Sequence, residues 1–201
     1  MNKPNNYDNT QAAGEFTPVE LGGHKLIIKQ VTETTSKNGK PMLVVLFDFA
    51  PDDKQPGYFM EQFKNDIRPD KKWPNQATNY ILTEDSDRNC SRSFKTFMTC
   101  VEHSNQGFAT QWGDNFGQQF KNKLIGGVFG PQMDFYNNKE IQKRVLRWFI
   151  SVDRIADATV PELSETQVYK NHKNGYPAGA TPSGDGFMNI PDGVDEELPF
   201  D

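Results

Sequence analysis

The sequence predicts a mainly β domain: five strands closed into a barrel, one helix between the third and fourth strands, then a disordered acidic C-terminal tail. Three observations predict it. Apolar, β-branched runs recur with hairpin signals between them; a single stretch, 91–102, carries helical periodicity; and charge and composition change after residue 156.

Residues 1–15 hold Asn, Gln, Asp and Gly with almost no aliphatics, and are expected to form a flexible leader. The run 21–35 is rich in aliphatic and β-branched residues and is the first strand. Asn38-Gly39 then marks a hairpin, because both residues tolerate positive φ. The run 42–50 is apolar on both faces, as at the middle of a sheet or in a barrel wall. After a Pro/Gly turn at 51–57, the run 58–64 is expected as the third strand, and 80–83 as a short strand or the approach to a helix. Phe94, Phe97, Met98 and Val101 stand at i, i+3, i+4 and i+7, the stripe of an amphipathic helix, with Asp87 or Asn89 as the expected cap. A glycine-broken strand follows at 121–130, where Gly126, Gly127 and Gly130 suit a sharp bend. A second hairpin turn at 136–140 leads into the last strand, 141–155. This order is that of an OB-fold barrel; an SH3-like barrel or another small α+β fold is the competing reading. The domain is expected over 16–156 and a linker with tail over 157–201, where Gly, Pro and Ser replace any packing periodicity.

Charge follows the same division. Of 201 residues, 22 are Lys or Arg and 27 Asp or Glu, a net charge of −5. Residues 157–201 contain nine acids against two bases, which leaves 20 bases against 18 acids in 1–156. A mildly basic body with an acidic tail suits a polyanion partner for one and a protein partner for the other. No apolar run nears the ~20 residues of a membrane span, and the polar start has no apolar signal region, so no membrane partner is expected. Cys90 and Cys100 make no disulfide framework, which points to a reducing cytoplasm.

Enzymatic signatures are weak. Gly126-Gly127 lacks the ending of a phosphate loop, and His24, His103 and His172 are far apart. Cys90, Cys100 and His103 do not have zinc-ligand spacing. Asp48, Asp52 and Asp53 read as turn-capping acids around Pro51 and Pro56; the rival they leave open is a metal-dependent nuclease. No catalytic residue, cofactor or metal is assigned.

Binding signals are collective. A single-strand binder needs cations to follow phosphates and flat side chains to stack bases. Lys37 and Lys40 bracket the first hairpin. Tyr58, Phe59, Phe63, Lys64, Arg68, Lys71, Lys72 and Trp73 interleave aromatics with bases. Lys121, Lys123, Tyr136 and Lys139 surround the second turn. On the last strand, alternation puts Lys143 with Arg147 on one face and Arg144 with Trp148 on the other. Phe47, Phe94, Phe97 and Phe149 are expected in the core, and Trp73 either stacks a base or packs.

The C-terminus, Asp195, Glu196, Glu197, Leu198, Pro199 and Phe200, resembles the tip of bacterial single-stranded-DNA-binding proteins, which end in acids, an apolar residue, Pro and Phe. In that family the tip docks into pockets on replication and repair proteins. Here Asp201 follows Phe200, whereas the family places the α-carboxylate on the Phe. Ser36-Lys-Asn-Gly-Lys-Pro-Met-Leu-Val-Val, Phe94-Lys-Thr-Phe-Met-Thr-Cys-Val-Glu-His-Ser-Asn and Leu124-Ile-Gly-Gly-Val-Phe-Gly resemble OB-type single-stranded-DNA-binding proteins of phages and mobile elements of Gram-positive bacteria, over roughly 16–156. The resemblance implies a non-enzymatic role in DNA replication or recombination inside a bacterial host cell. Single-stranded DNA would be the ligand, and the tail would recruit replication or recombination proteins. A homo-oligomer, a strand-annealing recombinase and a protein-interaction module without DNA affinity remain alternatives.

Overall fold

The first strand shows why parity alone does not fix a sheet. In the computed structural model, which describes residue 3, residue 7 and residues 17–175, β1 (Gly22–Thr35) buries Gly22, His24, Leu26 and Ile28 in strict alternation. Continued alternation would turn Gln30 inward and Val31 out. A bulge intervenes: Ile28 stands opposite Phe47 and Gln30 opposite Leu46, leaving Lys29 as the extra residue. Val31 thereby reaches the core.

β2 (Pro41–Phe49) pairs antiparallel with β1 along its length and is buried on both faces from Met42 onward, as expected for a central strand. The hairpin between them closes with Gly39 N–H donating to Ser36 O at 2.8 Å; of the Asn38-Gly39 pair, only Gly39 takes a positive φ, 72°. The second hairpin, between β4 (Leu124–Tyr136) and β5 (Lys139–Ile150), places Asn137 and Asn138 at φ 50° and 58°, the signature of a two-residue type I′ loop.

The segment 58–64 is not a strand. It forms helix α1 (Tyr58–Asn65) because its two buried rings, Phe59 and Phe63, lie one helical turn apart. The Asp48 carboxylate accepts the Phe59 N–H at 2.9 Å and the Met60 N–H at 3.3 Å, satisfying two otherwise unpaired amides of the first turn. The third strand is β3 (Thr78–Leu82), paired antiparallel with β2. The expected helix is α2 (Arg92–Ser104), with Phe94, Phe97, Met98 and Val101 buried. Its cap is Ser91, whose Oγ accepts the Phe94 N–H, rather than Asp87 or Asn89. Asn105 ties the helix end to β4: its side chain donates to Leu124 O at 2.8 Å and accepts the Leu124 N–H at 2.9 Å.

The fold is thus mainly β, with the antiparallel order β3-β2-β1-β4-β5 and α2 in the β3–β4 connection. Among the described residues β3 and β5 do not pair, so the sheet stays open and the expected closed barrel is not formed. A side chain spans the gap instead: Gln76, two residues before β3, donates from Nε2 to Arg144 O of β5 at 2.8 Å. Gly126, Gly127 and Gly130 all have ordinary backbone angles. At Gly127 the reason for glycine is close approach, since a Cβ would lie 2.6 Å from Leu26 Cδ1 and 2.7 Å from Leu146 Cδ1.

The core explains the aromatic richness. Phe47, Phe49, Phe59, Phe97, Phe120 and Phe129 are all fully buried, and Phe94 and Phe149 join them as expected. Their rings meet edge-on: Phe47 and Phe59 at 6.0 Å and 88°, Phe49 and Phe129 at 5.4 Å and 75°.

The chain does not become linker at 157. β5 ends at Ile150, and the following segment returns to β4 as β6 (Ser164–Glu165), which pairs parallel with Gln132 and Met133, and α3 (Gln167–Lys173). Asp134 anchors it. Its carboxylate accepts the Thr166 hydroxyl at 2.8 Å and Lys143 Nζ at 2.6 Å, while Thr166 Oγ1 caps α3 by accepting the Tyr169 N–H. Phe135 stacks on His172 at 3.7 Å. Residues 176–201, including Asp195 to Phe200, lie outside the described residues. No described helix is long and apolar enough to cross a membrane.

Burial pushes the Asp134 carboxyl up, but Lys143, Thr166 and the Phe135 amide outweigh it and hold the group below the usual carboxylate range. A depressed folded value stabilises above the unfolded pKa of about 3.9 and is lost as pH falls through the folded value. Asp134→Ala at neutral pH should therefore speed amide exchange across 164–173 while leaving β1 and β2 protected. Acid below about pH 4 should lower the protection factors of 164–173 in the natural protein, measured against the intrinsic exchange rate at that pH. Equal exchange in both proteins would remove Asp134 as the anchor.

Candidate nucleic-acid interface

β1 carries the two hairpins at opposite ends. Its C-terminal end runs into the 36–40 turn, while β4 leaves its N-terminal end at the Gly22–Phe129 pair and continues to Tyr136. Between them one face of β1, β2 and β3 carries Gln30, Thr32, Thr34, Tyr80 and Leu82, all half-buried, beside Val44 and Leu46 of the core.

The expected binding residues divide by what already holds them. Lys37, Lys64, Lys72 and Lys121 are exposed, and Lys40 is half-buried beside the first turn. Tyr136 is 64% exposed at the tip of the β4–β5 hairpin, next to exposed Lys139. These side chains form no ion pair among the described residues. Others are engaged. Arg68 donates from Nε and Nη2 to Asp66, holding that carboxyl down at about 2. Lys71 Nζ lies 4.8 Å from the Phe63 ring centroid, and Lys123 Nζ 4.8 Å from that of Phe108. Lys143 pairs with Asp134.

Two expectations change on the last strand. β5 bulges at Arg147, because Val128 pairs with Trp148 and Phe129 with Leu146. Lys143 and Arg147 therefore do not share a face by simple alternation. Arg147 Nη1 instead donates to Pro131 O at 3.4 Å and Glu162 O at 3.2 Å, fastening the segment that leads to β6. Arg144 Nη1 donates to Val19 O at 2.6 Å. Trp148 is 46% exposed.

Trp73 and Tyr58 are packing residues. Trp73 is 5% exposed, its Nε1 donates to Phe47 O at 3.2 Å, and its ring lies 5.7 Å from Phe63. The polar loop around it turns the indole inward because Phe63 offers an apolar partner and a strand carbonyl offers an acceptor. Tyr58 is half-buried, its hydroxyl donates to Thr17 O at 2.8 Å, and burial pushes its pKa up to about 12.

The acids at the β2 end are structural. Burial lifts the Asp48 carboxyl above its usual range, although amides of Phe59, Phe49 and Met60 and the charge of Lys29 oppose it. Asp53 accepts from His24 Nδ1 at 2.9 Å and from the Lys25 and Gln55 amides; these outweigh burial and hold it low. Asp52 pairs with Lys25. His24 is fully buried, with Nε2 on Glu20 O at 3.0 Å and its ring stacked 4.3 Å from Phe49. Among the described residues no three His, Cys, Asp and Glu side chains converge as a metal ion would require. Burial raises the Cys100 thiol to about 11, as suits a packed residue.

One exposed ring escaped the sequence reading. Trp112, in the connection between α2 and β4, is 72% exposed. Its signal is faint: Phe108, Trp112, Phe116 and Phe120 recur every fourth residue, yet polar and glycine residues around them break the helical pattern.

Trp73→Ala should lower unfolding free energy by about 3–5 kcal/mol, the range for deleting a buried aromatic, as measured by urea denaturation. A stability loss below about 1 kcal/mol would return Trp73 to the surface.

Comparison with known proteins finds no matching family model and no matching curated protein.

Proposed function

We propose that this protein binds single-stranded DNA with little sequence preference and without cutting it, in replication or recombination. The observation that carries the reading is the strand order β3-β2-β1-β4-β5 with α2 in the β3–β4 connection. That is the Greek-key order of an OB-fold, an architecture that is itself partly open, and whose β2–β3 face and β1–β2 and β4–β5 loops take oligonucleotides. In this chain those loops carry Lys37 and Lys40 at one end of β1 and Tyr136 and Lys139 at the other. Between them lie the half-buried Thr32, Thr34 and Tyr80. Lysines without carboxylate partners among the described residues are left to follow phosphates; a projecting tyrosine supplies a flat ring for a base.

Asp48, Asp52 and Asp53 do not favour the nuclease alternative, because their oxygens already serve backbone amides, His24 and Lys25. The resemblance of Asp195 to Phe200 to the bacterial tip adds a second element to the proposal. The tip would place Phe200 in an apolar pocket of a replication or repair protein whose basic rim takes Glu196 and Glu197.

Anisotropy of labelled oligothymidylate tests the first element. Affinity should fall with salt at a log–log slope of about −0.7 per phosphate contacted. Lys37→Glu with Lys40→Glu should flatten that slope. A flat response in the natural protein, or tighter binding to duplex, would reject DNA-strand binding. The tail is tested by pull-down from bacterial extract with full-length, 192–201-deleted and Phe200→Ala proteins. Partners should be lost in both variants, whereas identical partner sets would reduce the tail to a solubility device.

A further inference from the structure

The connection between α2 and β4 is built to hold one indole outside the core. Of its four regularly spaced rings, Phe116 and Phe120 are buried and Phe108 is half-buried, but Trp112 is 72% exposed. One face of that indole is backed: it stacks on Phe116 at 5.3 Å with 20° between planes, and its side meets Phe94 at 6.2 Å and 66°. Phe116 rests in turn against Phe120 at 5.1 Å. A tryptophan left this open forgoes part of the burial that a core position would give.

The loop that presents it is tied down. The Gln119 side chain donates to Gln111 O and accepts the Gln111 N–H, both at 2.8 Å, and also donates to Phe116 O at 2.8 Å. Thr110 donates from N and Oγ1 to the Glu102 carboxylate at 3.2 and 2.7 Å. Beyond Trp112, Gly117 lies so close to β1 that a Cβ would stand 2.1 Å from Val31 O. The ring is therefore exposed yet held, and the entropy of fixing it is already spent on folding.

The segment around it carries more bases than acids, although Asp114 is the charge nearest Trp112 in sequence. Residues 91–123 carry Arg92, Lys95, Lys121 and Lys123 against Glu102 and Asp114. Arg92, Lys95 and Lys121 are exposed, and the first two flank Phe94, the ring that Trp112 touches. A backed, flat, open π-face touching Phe94, which Arg92 and Lys95 flank in sequence, matches a base with its phosphate.

We propose that Trp112 is a base-stacking platform for single-stranded DNA, lying outside the two hairpins and the β2–β3 face. This inference rests on the single-strand reading and extends the DNA path toward the α2–β4 connection. The test measures oligothymidylate affinity by anisotropy for the natural protein and for Trp112→Ala, Trp112→Leu and Trp112→Phe, with thermal melts and sedimentation of each. Trp112→Ala and Trp112→Leu should bind roughly tenfold or more weakly, while Trp112→Phe keeps most of the affinity. Leucine and phenylalanine both keep apolar bulk on Phe116, so a loss confined to alanine and leucine assigns the effect to the flat ring rather than to loop folding. Equal affinity across all four proteins, with the natural protein binding, would overturn the platform and leave the single-strand reading intact. Unchanged affinity together with a lower sedimenting mass for Trp112→Ala would overturn it in favour of contact with a second copy. Failure of the natural protein to bind would overturn both readings.

Discussion

β1 is the strand on which the rest of the structure hangs, because both its edges must find hydrogen-bond partners. One edge takes β2 from Leu26 to Thr35. The other takes β4 only from Gly22 to Ile27. Past that point Asn122 donates its N–H to Ile28 O, Ile28 donates its own to Lys123 O, and the turn Phe116–Phe120 closes over Val31. The α2–β4 connection is thus edge protection for β1, and its position follows from where β4 pairing stops. Past Phe129, β4 has lost β1 as a neighbour, and β6 takes the vacated edge at Gln132 and Met133.

Charge in the domain follows a similar logic of satisfied and unsatisfied groups. The most buried carboxylate, Asp48, is surrounded by amide donors and so behaves as part of α1's first turn. Asp53 and His24 lock the segment after β2 to the start of β1. Arg144 and Arg147 hold backbone carbonyls of distant segments. With these arginines engaged, the remaining cations stand at the hairpins, on α1 and near the α2–β4 connection, where solvent screening keeps any isolated surface ion pair weak and a polyanion gains by displacing counterions.

The three tryptophans show how context assigns one side chain three roles. Trp73 is 5% exposed, Trp148 46% and Trp112 72%. Trp73 sits in the most polar stretch of sequence and is the most buried, because Phe63 and the Phe47 carbonyl offer its ring and N–H partners. Trp112 stacks on Phe116 and meets Phe94 edge-on, and no further ring of the described residues touches it.

The sequence by itself determined the mainly β class, both hairpins, α2 with its buried face, and the Phe core positions. Each of these is local: a turn needs positive φ, a helix needs a 3.6-residue stripe, and a central strand needs apolar residues on both faces. The tertiary structure alone decided that 58–64 is helical, since Phe59 and Phe63 answer to Asp48 and the core rather than to strand propensity. It alone decided the bulges at Lys29 and Arg147, which reverse the face of every later side chain, and so which cations reach solvent and which hold carbonyls. It returned 164–173 to the domain through one carboxylate, Asp134, on a segment whose composition resembles linker. It also left β3 and β5 unpaired and turned Trp112 outward. The physical reason is common to all of these: each depends on a partner far along the chain, and no local pattern encodes which distant hydrogen-bond acceptor or ring a side chain will meet.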